Sequence, residues 1–308
     1  MRIAITVNKK LKTNMSKKQN ITIILVFSLF LTQCSGKAPT QFDPERAYKA
    51  IEYQLSLGPR TPGSQAHETV RSYISAELEG SGWEVEAPEQ SVDGKKIFNI
   101  IGKRGNGGRW VIIGAHYDSR LLSDHDPDLS LRNQPVPGAN DGASGVAVLL
   151  ELARILPTNM DKTIWLVFFD AEDNGNIPGY EWIMGSTAFV QTLKGKPDEA
   201  IIIDMIGDAD LNIYQELNSD RNLTESIWKL ANKLGYTQFI PIPKYRILDD
   251  HIPFLEAGIP AVDIIDIDYP YYHTTEDTLD KVSAQSLEAI GEILSAYILE
   301  QNDPVIVK

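Results

Sequence analysis

The chain of 308 residues carries 42 acidic against 29 basic side chains, a net charge of −13, with 43% hydrophobic and 23% charged residues. That is the composition of a globular protein long enough for a large core, and its acidity excludes nucleic acid as a partner on electrostatic grounds. The single cysteine, Cys34, excludes an internal disulfide and any cysteine-based site in the chain beyond it, so a metal would be held by His, Asp and Glu.

The first 42 residues hold no Asp or Glu. Lys9, Lys10, Lys12, Lys17 and Lys18 precede the apolar run ITIILVFSLFL (Ile21–Leu31), which is too short for a membrane-spanning helix of about 20 residues. A basic stretch, a short apolar stretch and a small-residue exit predict an export signal over residues 1–33, starting at Met1 or at Met15. The exit LTQCSG resembles the lipobox of bacterial lipoproteins, with Gln33 where that motif has a small residue. The resemblance implies that Cys34 becomes the lipidated first residue of an exported protein, anchored to a bacterial membrane at its periplasmic or outer face. The alternative is an ordinary signal peptide with an incidental cysteine. Without residues 1–33 the balance is 23 basic against 42 acidic residues, a net charge of −19. Residues 34–42 read as a tether.

A helix is predicted from Asp43, with Pro44 in its first turn, to LGPRTPGS, and a second from about Gln65 to Leu78, stopped at Gly80. WEVEAPEQ and KKIFNIIGKRG read as strands. From Arg109 four apolar runs follow: RWVIIGAHYDS, KTIWLVFFDAED, EAIIIDMIGD and GIPAVDIIDID. Between and after them lie the helical patterns GASGVAVLLELARIL, STAFVQTLK, TESIWKLANKLG and SAQSLEAIGEILSAYILEQ. Strands apolar throughout, alternating with helices, predict an α/β protein: a three-layer α/β/α sandwich around a mostly parallel, mixed sheet. Residues 43–308 form one domain with no internal repeat.

In such sheets ligands bind beyond the carboxyl ends of the strands. The polar tails of these runs should therefore converge: His116 and Asp118, then Glu172 and Asp173, then Asp204, and later His273. Asp141, in PGANDGASGVAVLL, adds a carboxylate at a Gly-rich turn that opens a helix. Imidazole and carboxylate together suit zinc, and a catalytic zinc keeps three protein ligands and an open position. Each residue alone has a plainer reading: a strand-end Asp as a helix cap, His116 as a packed core side chain. Asp170 is expected to cap or brace its turn, with Glu172 and Asp173 pointing in different directions.

GAHYDS, GANDGASGVAVLLELAR, FFDAED, DMIGD, DDHIPFLEAGIPA and YYHTTEDT, in this order, are similar to the zinc-dependent aminopeptidases and their relatives, the glutaminyl cyclases. The resemblance runs from Asp43 to the C-terminus and is closest to the bacterial glutaminyl-peptide cyclotransferases. It implies a zinc exopeptidase-like fold. For the aminopeptidases it implies two zinc ions on His116, Asp141, Asp173, Asp204 and His273, with Glu172 as general base. For the cyclases it implies one zinc on Asp141, Asp173 and His273, with Glu172 shuttling protons and Asp204 and Asp249 hydrogen-bonded to it. Asp249, where aminopeptidases commonly carry serine, Asp173 in place of a second glutamate, and the loop LLSDHDPDLSLRNQPVPGAND favour the cyclase. The implied activity converts the N-terminal glutamine of peptides or proteins to pyroglutamate and releases ammonia. The alternative is release of N-terminal amino acids. Tyr272 and Trp182 are candidate substrate-stacking walls, with core packing the plainer reading for Trp182. A calcium site in DHDPD is weighed against a solvated acidic loop, which is favoured. His251 is expected to anchor the loop that positions Asp249.

Overall fold

In a computed structural model of the protein, residues 41–300 are described. The predicted export signal (1–33), Cys34 and the tether up to residue 40 lie outside the described residues. The tether expected to run through Phe42 ends earlier, because the Phe42 ring is buried against Gly291 of the last helix.

Local signals set the helix starts. Helix α1 (Pro44–Ser56) is capped by Asp43, whose carboxylate accepts the Arg46 N–H, with Pro44 in the first turn. Helix α2 (Gln65–Gly80) is capped by Ser64, whose hydroxyl accepts the His67 N–H. Four short strands follow: β1 (Glu84–Glu86), β2 (Gln90–Val92), β3 (Lys95–Ile97) and β4 (Ile100–Arg104). The two long strands predicted here are thus broken. Asp93 and Gly94, with φ of 48° and 78°, make a tight turn that folds β2 and β3 into their own hairpin. The chain continues with β5 (Arg109–His116), α3 (Ala143–Ile155), β6 (Lys162–Phe169), α4 (Met184–Thr192) and β7 (Glu199–Asp204). It ends with β8 (Ile213–Glu216), α5 (Arg221–Leu234), β9 (Phe239–Tyr245), α6 (Ile252–Glu256), β10 (Ala261–Ile265) and α7 (Ala284–Glu300).

The central sheet runs β1-β4-β6-β5-β7-β10. β1 and β4, and β4 and β6, pair antiparallel; β6–β5, β5–β7 and β7–β10 pair parallel. Alternate residues of each central strand feed two separate cores. Val111, Ile113, Ile164, Leu166, Phe168, Ile201 and Ile203 join the core beneath α1, α3 and α7. Ile112, Val167, Phe169, Ala200 and Ile202 join the core holding Phe189 of α4 and Phe254 of α6. A sheet covered on both faces explains why these strands read as unbroken apolar runs. Ile113 opposite Ile201 and Ile264 opposite Ile203 place the ends of β5, β7 and β10 along one edge. Outside this sheet, β8 and β9 pair parallel with each other. The patterning does not predict them, since Pro241 and Pro243 interrupt β9 and most of its residues are exposed. Among the described residues no helix is long and apolar enough to cross a membrane.

Candidate metal centre and active site

The predicted residues meet at the carboxyl edge of the parallel strands. His116 ends β5, Asp204 ends β7, and Glu172 and Asp173 follow β6. Asp141 lies one residue before Gly142, the N-cap of α3, and His273 sits in the loop after β10. All six are buried. Ala171, Met205 and His273 hold left-handed φ values of 51°, 47° and 56°. Non-glycine residues adopt that conformation at a cost, and such strain clusters at functional sites.

His116 Nε2 lies 3.1 Å from Asp141 Oδ1 and 3.1 Å from Asp204 Oδ1. His273 Nε2 lies 2.7 Å from Asp173 Oδ1 and 3.7 Å from Asp141 Oδ2. The result is two donor triplets, His116–Asp141–Asp204 and Asp141–Asp173–His273, with donor atoms within 4.8 Å of one another in each. Asp141 belongs to both. Its neighbour Gly142 makes this approach feasible, since a Cβ there would fall 2.6 Å from His116 Cε1.

The donor chemistry fits a divalent cation. Asp141 Oδ2 and Asp173 Oδ2 are buried without a hydrogen-bond partner, and unpaired carboxylate oxygens in a dry site call for a positive charge. Burial pushes the His273 imidazole down to about 4, so it is neutral near pH 7, the form that binds metal. Burial would also lower His116, but hydrogen bonds to Asp118, Asp141 and Asp204 overcome it and raise its pKa well above the ordinary value. A cation on His116 would replace that proton. Nitrogen and oxygen donors without thiolate suit zinc.

Asp118 organises both halves of the site. It is buried, with Oδ1 accepting the Glu172 N–H at 3.0 Å and lying 3.5 Å from His116 Nδ1. Its Oδ2 accepts from Asp173 N–H at 3.4 Å and Asn174 Nδ2 at 3.0 Å. One carboxylate thereby orients a histidine and fixes the turn that sends Glu172 and Asp173 apart. Asp170 braces rather than caps: it accepts the Phe98 N–H at 2.7 Å and meets His67 Nε2 at 2.7 Å.

Glu172 is 7% exposed. Burial pushes its carboxyl well above the usual range, and Asp173, Asp249 and Asp250 push the same way against His116. Asp204, expected beside Glu172, lies instead against His116, and its carboxyl is pushed up to about 7, foremost by burial. Asp249 and Asp250 are both buried, and Asp249 Oδ1 accepts the Asp250 N–H. His251 is fully buried, its Nε2 3.2 Å from Glu216 Oε2 and its Nδ1 3.7 Å from Asp263 Oδ2.

Aromatic rings flank His273. Tyr272 stacks on it at 3.6 Å between centroids, and Trp182 lies parallel to it, 8° apart in plane and 6.0 Å away. The Arg120 guanidinium sits 4.9 Å from the Trp182 ring centre. Arg120 was missed in the sequence, where its only signal was a place two residues after Asp118. It is buried, pairs with Asp124 at 2.7 Å through two nitrogens, and donates to the carbonyls of Asp173 and Gly175. The acidic loop is solvent-exposed over most of residues 125–135, and Asp126 is its buried exception. Asp126 is 2% exposed and accepts from the Thr275 N–H and hydroxyl, two residues past His273, while Asp128 is engaged by Ser130. These partners occupy the carboxylates that a calcium ion would need.

Comparison with known proteins agrees with this geometry. The glutaminyl-peptide cyclotransferase-like protein of Bos taurus is 26% identical over 300 residues, spanning 84% of this chain and 76% of that protein. The crystal structure of Tannerella forsythia glutaminyl cyclase superposes with a TM-score of 0.78 at 33% identity, covering 86% of this chain and 100% of that one. A leucine aminopeptidase precursor from Bacteroides thetaiotaomicron superposes with a TM-score of 0.80 at 31% identity, covering 87% of this chain and 99% of that one. Peptidase family M28 matches residues 99–298. With a strand-end histidine, a loop histidine, a shared aspartate and a matching α/β/α frame, the chain belongs to peptidase family M28.

Proposed function

We propose that this enzyme is a zinc-dependent glutaminyl-peptide cyclotransferase that converts the N-terminal glutamine of peptides or proteins to pyroglutamate. The observation that carries the reading is the burial of Glu172 among Asp173, Asp249 and Asp250. Burial and these neighbouring carboxylates raise its pKa above the ordinary carboxylate value, which suits a group that serves as acid and base in turn. Asp141, Asp173 and His273 would hold the zinc. When bound, zinc supplies Lewis-acid polarisation of the substrate γ-carboxamide carbonyl. The α-amine then forms the ring C–N bond to the carboxamide carbonyl carbon (Cδ) of the same residue, so proximity comes partly from the substrate. Glu172 takes a proton from that amine and returns one to the departing nitrogen as the C–NH2 bond breaks, releasing ammonia. Asp249 bears on Glu172 electrostatically. Tyr272 and Trp182 would wall the pocket for the glutamine side chain.

One observation favours metallo-aminopeptidase activity instead: the complete second triplet, His116, Asp141 and Asp204, able to hold a second metal. Incubation with a Gln-initiated peptide separates the two readings by mass. Loss of one ammonia supports the cyclase; release of a whole residue overturns it. The reading extends to an exported protein held at a membrane through lipid on Cys34. Cys34→Ala should then release it from the membrane fraction, and unchanged attachment would refute lipidation.

A further inference from the structure

Asp141 is the one carboxylate common to both donor triplets, and it rides on an irregular turn rather than on a strand or helix. Something must hold that turn rigid if both oxygens are to be aimed correctly. We propose that Arg60 and Asp277, two buried residues outside both triplets, are positioning residues that set Asp141 between them. The proposal rests on the metal-binding reading of the site, not on the choice between cyclase and peptidase.

Arg60 is 0% exposed. It donates from Nε to the Tyr117 carbonyl at 3.2 Å, from Nη1 to Pro137 at 3.0 Å and from Nη2 to Gly138 at 2.6 Å. Tyr117 follows His116 directly, and Pro137 and Gly138 lead into Asp141. A single planar guanidinium therefore joins the segment of one donor to the segment of the next. Asp277, also fully buried, takes the opposite groups. Its Oδ1 accepts the Asn140 N–H at 2.8 Å and its Oδ2 the Asp141 N–H at 3.2 Å. Its backbone carbonyl accepts the Ala139 N–H at 3.2 Å, and the Tyr269 hydroxyl steadies Oδ1 at 2.7 Å. Carbonyls of the turn point to the cation and amides to the anion, so the peptide dipoles are fixed from both sides. Asp277 also lies four residues after His273, which ties the turn to the second triplet.

Two further facts mark the arrangement as specific. The Arg60 nitrogens are spent on backbone carbonyls, and among the described residues this buried charge forms no direct ion pair to offset its desolvation. Gly138 has φ of +74°, and a Cβ there would fall 2.6 Å from Arg60 Nη2 and 2.5 Å from the Asp141 carbonyl oxygen. Lysine offers a point charge on a flexible stem and cannot reproduce the three-way fork.

The test is metal binding by Arg60→Lys, Arg60→Met and Asp277→Asn. Zinc affinity is read by chelator competition, the visible spectrum of the cobalt-loaded protein reports ligand geometry, and near-ultraviolet circular dichroism reports the fold. Changes to groups that orient metal ligands cost about 10–100-fold in affinity, and that loss is expected here with an altered cobalt spectrum in folded protein. A merely structural role would lower stability and leave the cobalt spectrum as in the unaltered protein. Should Arg60→Met not fold, Arg60→Lys and Asp277→Asn decide. Folded variants with unchanged zinc affinity and cobalt spectrum overturn the proposal. An unaltered protein that binds neither metal overturns the metal reading itself, a distinguishable result.

Discussion

His273 Nε2 lies 2.7 Å from Asp173 Oδ1, so two loops a hundred residues apart in sequence meet at a single pair of donor atoms. Burial keeps the ring neutral near pH 7. The contact thus uses either one imidazole proton or a cation held by both groups. His273→Ala is expected to weaken zinc binding by more than the about 10–100-fold cost of changing an orienting partner, and to abolish turnover. Chelator competition checks this, and undiminished affinity would remove His273 from the donor set.

Glu172 bears on turnover rather than on metal capture. Glu172→Gln preserves shape and removes the proton-transfer function, so turnover is expected to fall by about 10²–10⁴-fold. Zinc content and KM should stay near those of the unaltered enzyme. Normal turnover in this variant would sink the acid–base assignment.

Asp204 is one source of the pH dependence of stability in metal-free protein, beside other buried carboxyls such as Asp266 and Asp277. The Asp204 carboxyl is pushed up to about 7 when folded, foremost by burial, against about 3.9 in an unfolded chain. The folded state therefore binds its proton more tightly. Its contribution to stability declines as pH rises from about 4 to about 7 and is flat above that. Asp204→Asn should reduce this decline. Urea midpoints measured across the window test it, and the same slope in both proteins would exclude Asp204 as one of its sources.

Trp182 should act on substrate binding. Its ring faces His273 at 6.0 Å and is backed by Arg120. Trp182→Leu keeps apolar volume but removes the flat wall. An aromatic contact is worth about 0.5–1.5 kcal/mol, so KM for Gln-initiated peptides should rise by up to about tenfold with kcat little changed. A fall in kcat at constant KM would instead assign Trp182 to shaping the metal donors through Arg120.

Much of the site was legible because a buried parallel strand must be apolar until it reaches the sheet edge. His116, Asp204 and the Glu172–Asp173 pair stand where the apolar runs stop, so their convergence follows from the α/β pattern. The family motifs then supplied the expected roles. The β2–β3 hairpin was hidden because Asp93-Gly94 sits between strands of only three residues. β9 was hidden because an exposed, proline-bearing strand carries no alternating pattern, and its partner β8 because it is only four residues long.

The sequence by itself determined the alternation of strands and helices, the acidic character of the chain and the set of residues able to bind a cation. Those properties reside in single side chains and short periodicities. Only the tertiary structure decided that Asp141 belongs to two triplets, that Asp249 and Asp250 press on Glu172 while Asp204 turns to His116, and that Arg60, Asp118, Arg120 and Asp277 hold the donors in place. Hydrogen-bond partners and desolvation depend on which distant segments are packed together, and an arginine or aspartate looks the same in sequence whether it faces water or three buried carbonyls.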